Sequence, residues 1–221
     1  MGAIWKRTQS PMSTDLGADV SGAAKKLNLW ADMAARAYGA YSGINASIAA
    51  ASDKSLPSIH HAHEIRQQLA LMSVIRTFAL LDRDAGLSMQ SVHRFLKREE
   101  AIRLVAESFA LSEPPSSLEG AKRDSSLAVQ RFLLKYGEID WTVFGRLQSF
   151  RNVAISHITW REVDKFVTYG ELEHLVRISC ALAGEFTFMT SGLNDWPEEQ
   201  IAVSYDDAFM FWSAALKASL T

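Results

Sequence analysis

Apolar residues recur at helical spacing from about Gly22 to Ala218, while the strict alternation of a half-buried strand is scarce. A chain patterned in this way has to bury helical stripes against one another. That points to an all-α fold, a compact bundle of six or seven helices. With 221 residues, 48% of them hydrophobic, the chain can enclose one good-sized core. Residues 1–18 mix Ser, Thr, Gly, Pro and charge without a sustained period and read as a mobile N-terminal arm. Residues 19–221 read as a single helical domain.

Local breaks divide the pattern. An Ala-rich first helix runs from about Gly22 to Ser52, with Leu27, Trp30, Met33 and Ala34 in phase. Gly39 and Gly43 inside it each cost about 1 kcal/mol relative to Ala, so a close helix approach is expected there. A second helix spans about Ser58 to Leu81, with Leu69, Met72, Ile75 and Ala79 as its inner face and Phe78 on the flank. Ser88 opens a third, continuing or kinking toward Phe109, and Ser112 to Ser117 with its two prolines is the clearest loop. Helical period resumes from about Gly120 to Lys135. Asp140 is placed to cap the next helix, and Thr168 with Glu171 forms a capping box for the one after the charged stretch Arg161 to Val167. A last helix covers roughly Tyr205 to Ala218.

Composition narrows the function classes. A formal net charge of −2 argues against a broad electrostatic grip on nucleic acid, although a small basic cleft depends only on local charge. Cys180 is alone, which excludes an intramolecular disulfide and a cysteine-based zinc site. The stretch Met1 to Met12 lacks the apolar core of a signal peptide, and Leu69 to Leu81 is too short and too interrupted by Arg76 to span a bilayer. The expected setting is cytoplasmic and reducing, with no membrane association.

One segment carries the chemistry. On a helical wheel with Trp141 at zero, Val143, Phe144, Leu147, Phe150, Ala154, Ile155 and Ile158 gather near roughly 245°. Arg151 falls at about 280°, inside that stripe, and His157 at about 160°, on its edge. Burying a guanidinium costs several kcal/mol unless an anion or rich hydrogen bonding meets it. Two partners fit: a core carboxylate, with Asp82 or Asp84 as candidates, or a phosphate. In a straight helix Arg151 and His157 diverge by about 120° over a rise of roughly 9 Å. Convergence on one phosphate therefore needs a helix that bends or ends near Ser156, or a two-fold dimer that pairs the motifs. On an RNA phosphodiester, His157 would move protons between the 2′-hydroxyl and the leaving oxygen, Arg151 would hold the non-bridging oxygens, and Asn152 would orient the histidine or the sugar.

The stretch RNVAISHI, followed by TYGELEHLV from Thr168 to Val176, resembles the R-x(4–6)-H signature of HEPN domains, closest to their AbiU-type (abortive-infection) branch. Leu71 to Leu96 resembles that branch's second helix and the short helix after it, so the likeness covers Trp30 to Phe186. The filler Ala154-Ile155-Ser156 is less basic than that branch's own. The resemblance implies an antiparallel, HEPN-like bundle that forms a homodimer around the motif. It also implies a metal-independent endoribonuclease with no cofactor, acting on RNA as a toxin or phage-defence effector, with an antitoxin or neighbouring-gene partner. Arg151 and His157 take the catalytic roles and Asn152 the orienting one. HEPN domains also include non-catalytic dimerisation and nucleotide- or RNA-binding modules.

Other polar features have plainer readings. His60, His61 and His63 beside Glu64 have the spacing of two metal ligands but read as a solvated helix start. Arg76 reads as a buried ion pair with Asp82. His93 and His174 read as structural or exposed, and Phe209, Phe211 and Trp212 as core or dimer contacts. An unrelated helical adaptor remains the alternative to both HEPN readings.

Overall fold

The computed structural model describes residues 16–52, 57–112, 117–152 and 167–218. Among these the secondary structure is helical throughout, in eight helices and no strand: α1 (Val20–Ala50), α2 (Pro57–Leu81), α3 (Met89–Leu96), α4 (Ala101–Ala110), α5 (Leu118–Gly137), α6 (Trp141–Phe150), α7 (Tyr169–Ser191) and α8 (Glu199–Ala218). None is long and apolar enough to cross a membrane.

Capping side chains set many of the boundaries, because the first turn of a helix leaves backbone N–H groups without partners. Asp19 accepts from the Gly22 amide at 2.8 Å to start α1. Asp140 accepts from the amides of Thr142 and Val143 to start α6. Thr168 and Glu171 close a reciprocal capping box at the head of α7, and Ser88 with Ser91 does the same for α3. At its far end α7 stops on Gly192, whose φ of 69° is a left-handed conformation that side-chain-bearing residues rarely adopt.

α7 is the buried spine. Leu175, Val176, Leu182, Ala183, Phe186 and Met189 are sealed from solvent, and α1, α4 and α5 pack around it. The alanines of α1, including Ala31, Ala34 and Ala35, let its backbone come close to α7, where the buried Cys180 thiol reaches the Ala31 carbonyl at 3.5 Å. The other side of α1 meets α8 with almost no side chain between. A Cβ on Gly39 would lie 2.3 Å from the Ile201 carbonyl oxygen, and one on Gly43 would lie 2.3 Å from the Tyr205 carbonyl oxygen. The close approach expected at these glycines is therefore real, with α8 as the partner. A second, smaller apolar cluster of Ile44, Ile48, Ile59, Ala62 and Leu216 ties the far end of α1 to α2 and α8.

Several sequence expectations need correction. The third helix is two, α3 and α4, divided by a turn at residues 97–100 in which the Arg98 amide turns back to the Phe95 carbonyl. α8 begins at Glu199, well before Tyr205, its first amides engaged by the carbonyls of Trp196, Pro197 and Glu198. Leu16, within the stretch read as an arm, is buried in the core. The inner face of α2 is formed by Ser73, Val74, Thr77, Phe78 and Leu81, whereas Met72 and Ile75 are exposed at 41% and 36%. Arg76 makes no ion pair with Asp82. It donates instead to the Met33 carbonyl at 2.7 Å, pinning α2 to α1. Of the core-or-dimer reading of the last helix, the core half fails at Phe211, which is exposed beside Met210 on α8, while Leu216 is buried and Trp212 half-buried.

Candidate functional site

The motif begins on α6, and the local sequence explains how that helix is held. Val143, Phe144 and Leu147 are buried on one face. The Phe144 ring stacks on Phe78 of α2, with centroids 5.5 Å apart and planes within 8°. Trp141 meets Phe144 edge-on and touches Tyr136, whose ring lies 3.8 Å from that of His93. Burial beside Lys97 holds His93 below its ordinary pKa, so the neutral ring is favoured in this stack. A chain of rings thus runs from α3 across α5 and α6 to α2.

Arg151 sits at the end of that chain. The α-helix proper stops at Phe150, and Arg151 follows it with helical φ and ψ of −58° and −43°, its amide still bonded to the Leu147 and Gln148 carbonyls. The residues between Asn152 and His157, on which any convergence of Arg151 with His157 depends, lie outside the described residues. Arg151 is partly buried, as its place in the apolar stripe required. Its guanidinium carbon lies 4.9 Å from the centre of the Phe78 ring, and Nη1 donates to Asn152 Oδ1 at 2.9 Å.

The partner facing Arg151 is thus an aromatic face and an amide, and among the described residues no carboxylate pairs with it. Asp82 accepts from the Asp84 amide at 3.1 Å, and neither pairs with Arg151. Glu185, the core carboxylate at 7% exposure, gives both oxygens to Arg131 Nε at 2.7 and 2.9 Å. Arg146, a turn before Arg151 on α6, is bonded to Glu171. That bond and the Thr168 amide hold the Glu171 carboxyl below its usual range, the amide being the larger influence. Of the acids around the motif, Glu171 is thus committed to the α7 cap. His157 lies outside the described residues.

A cavity of about 340 Å³ opens beside this corner. Val74, Leu147, Phe150 and Leu172 supply apolar walls from α2, α6 and α7, and Arg66, Gln67, Tyr41 and Tyr169 bring polar groups. The Tyr41 and Tyr169 rings stack with centroids 5.1 Å apart. Burial, followed by the neighbouring Tyr169, pushes the Tyr41 hydroxyl far up in pKa against the opposing pull of Arg66, so it stays protonated at neutral pH. Arg66 is steadied by donating to Asn45 at 2.8 Å. The sequence did not mark these residues, because they come from separate elements and share no spacing.

His61 and Glu64 approach only to 3.8 Å, and both are well exposed. Among the described residues no group of three His, Cys, Asp or Glu side chains converges. No family model, curated protein or solved structure matches the chain.

Proposed function

We propose that the protein is a metal-independent endoribonuclease of HEPN type, working as a homodimer and serving as a toxin or phage-defence effector in the cytoplasm. The observation that carries this reading is the Arg151 guanidinium: partly buried, lying on Phe78, steadied by Asn152, and without a carboxylate among the described residues. A cation over an aromatic face gains about 0.5–2 kcal/mol, which holds the partly exposed guanidinium in place without neutralising its charge. A phosphate oxygen pair presented to its planar fork would supply the missing anion through charge-assisted hydrogen bonds.

In the reaction proposed, the 2′-oxygen of the substrate ribose attacks the adjacent phosphorus as His157 takes its proton. The bond to the 5′-oxygen breaks, that oxygen receives a proton, and a 2′,3′-cyclic phosphate remains. Arg151 holds the non-bridging oxygens as their charge grows, and Asn152 keeps the guanidinium oriented. The second subunit would place its own motif across the two-fold axis, so the dimer is part of the proposal, as is an antitoxin or neighbouring-gene partner that restrains it.

The test is incubation of purified protein with mixed cellular RNA in excess EDTA. Cleavage should persist, leave cyclic phosphate ends, and fall on the order of 10²–10⁴-fold in His157→Ala. A folded dimer that leaves every RNA intact would move the protein to the non-catalytic reading, a HEPN-fold dimerisation or nucleotide-binding module.

A further inference from the structure

The cavity beside Arg151 combines apolar walls with polar groups capable of fine discrimination. At about 340 Å³ it stands at the small end of ligand pockets. Its lining adjoins the arginine's platform along the chain. Phe150, a wall residue, precedes Arg151 in the chain, and Val74, another, stands one turn of α2 before Phe78, about 6 Å along the axis. Arg151 and Phe78 do not line the cavity themselves, but each neighbours a lining residue on its own helix.

The lining selects among occupants. An aliphatic chain would use the apolar walls but give the Gln67 amide and the Tyr41 and Tyr169 hydroxyls no part in its recognition. A bare sugar would turn its hydroxyls toward Val74, Leu147 and Leu172, which offer no partner. A flat heteroaromatic ring suits both parts. Its faces take the apolar walls, and its edge meets the Gln67 amide, which both donates and accepts, and the Tyr41 and Tyr169 hydroxyls. Aromatic and apolar side chains gripping the faces while polar groups read the edge is how single-stranded bases are recognised in RNA.

We infer that the cavity among Tyr41, Gln67, Val74, Phe150 and Tyr169 is a nucleobase pocket, seating the base of the nucleotide whose phosphate Arg151 holds. The choice of a nucleobase over other flat rings rests on the phosphate-holding role proposed for Arg151. The pocket makes the enzyme selective for the base at one side of the cut, and it engages that base only where the RNA is unpaired.

Calorimetric titration of the full-length protein with the four ribonucleosides, and with ribose alone, tests the pocket without phosphate or catalysis. Binding of at least one nucleoside is expected, with none of ribose. Ala70→Trp, which fills the cavity from α2, should weaken that binding by about tenfold or more. Gln67→Ala, at an exposed position, should alter the ranking among bases even if Ala70→Trp proves unstable. Arg151→Ala should leave nucleoside affinity within about twofold. Failure of every nucleoside to bind, or wild-type binding in Gln67→Ala together with Ala70→Trp, would overturn the inference. The two readings fail separately. Nucleoside binding without RNA cleavage keeps the pocket and removes the nuclease, whereas RNA cleavage with no nucleoside binding does the reverse.

Discussion

The α1–α8 contact and the corner where α2, α6 and α7 meet are built on opposite terms. At the first, Gly39 and Gly43 bring backbone against backbone, and the Ser47 hydroxyl bonds both its own helix at Gly43 and the Phe209 carbonyl across the interface, each at 3.0 Å. There is no room and no charge. At the second, the helices stand apart around a cavity, an arginine without a carboxylate among the described residues, and a pair of stacked tyrosines. A bundle that can close to backbone contact in one place could do so elsewhere. Side chains such as Tyr41, Arg66 and Phe150 line the second corner, and the space they leave is the pocket proposed for a ligand.

The comparison can be broken most severely at the glycines. Gly43→Ala would push a Cβ to within 2.3 Å of the Tyr205 carbonyl oxygen and 2.9 Å of the Phe209 amide, both backbone atoms that yield only if α8 moves. A loss of about 3 kcal/mol is expected, or roughly 6–12 °C in the melting temperature of a domain this size. An unchanged melting curve would mean the interface is looser than described.

A smaller effect separates the corner's scaffold from its ligand-facing parts. Phe78→Leu removes a stacking partner of Phe144 and the face under Arg151 while keeping an apolar side chain. It should cost about 2 kcal/mol in chemical denaturation and weaken RNA cleavage more than nucleoside binding. Equal losses in the two would place Phe78 in the pocket rather than under the arginine.

The smallest effect depends on pH. Glu171 is held below the usual carboxylate range by the Thr168 amide and by Arg146, so its contribution is present above its unfolded pKa and is lost as pH falls through the folded value. Glu171→Gln should therefore melt below wild type at neutral pH, and the gap should close on acidification. A gap that widens in acid would show that the carboxylate opposes the cap.

Most of the helices were legible because their signals are local. Asp140, Thr168 with Glu171, and the glycines of α1 each act within a turn or through the simple absence of a side chain. The buried face of α2 was misread because Ser73 and Thr77 are fully buried while Met72 and Ile75 face outward. Hydropathy ranks those four residues the other way, and only the neighbours that cover each face decide. At the site, an arginine inside an apolar stripe was visible in the sequence, but its partner was not. The two partners considered were both anions, and the one present is a phenyl ring on another helix. The cavity was invisible for the same reason, since Tyr41, Arg66, Phe150 and Tyr169 meet only in the folded chain.

The account turns on Arg151 being held ready for an outside anion rather than serving the fold. One paired measurement addresses this directly: RNA cleavage and thermal melting of wild type and Arg151→Ala, side by side in EDTA. The account predicts cleavage by wild type and a loss of about 10²-fold or more in the variant, with a change in stability below about 1 kcal/mol. A variant that loses about 3–5 kcal/mol, as when a buried ion pair is broken, beside a wild type that cleaves nothing, would contradict it.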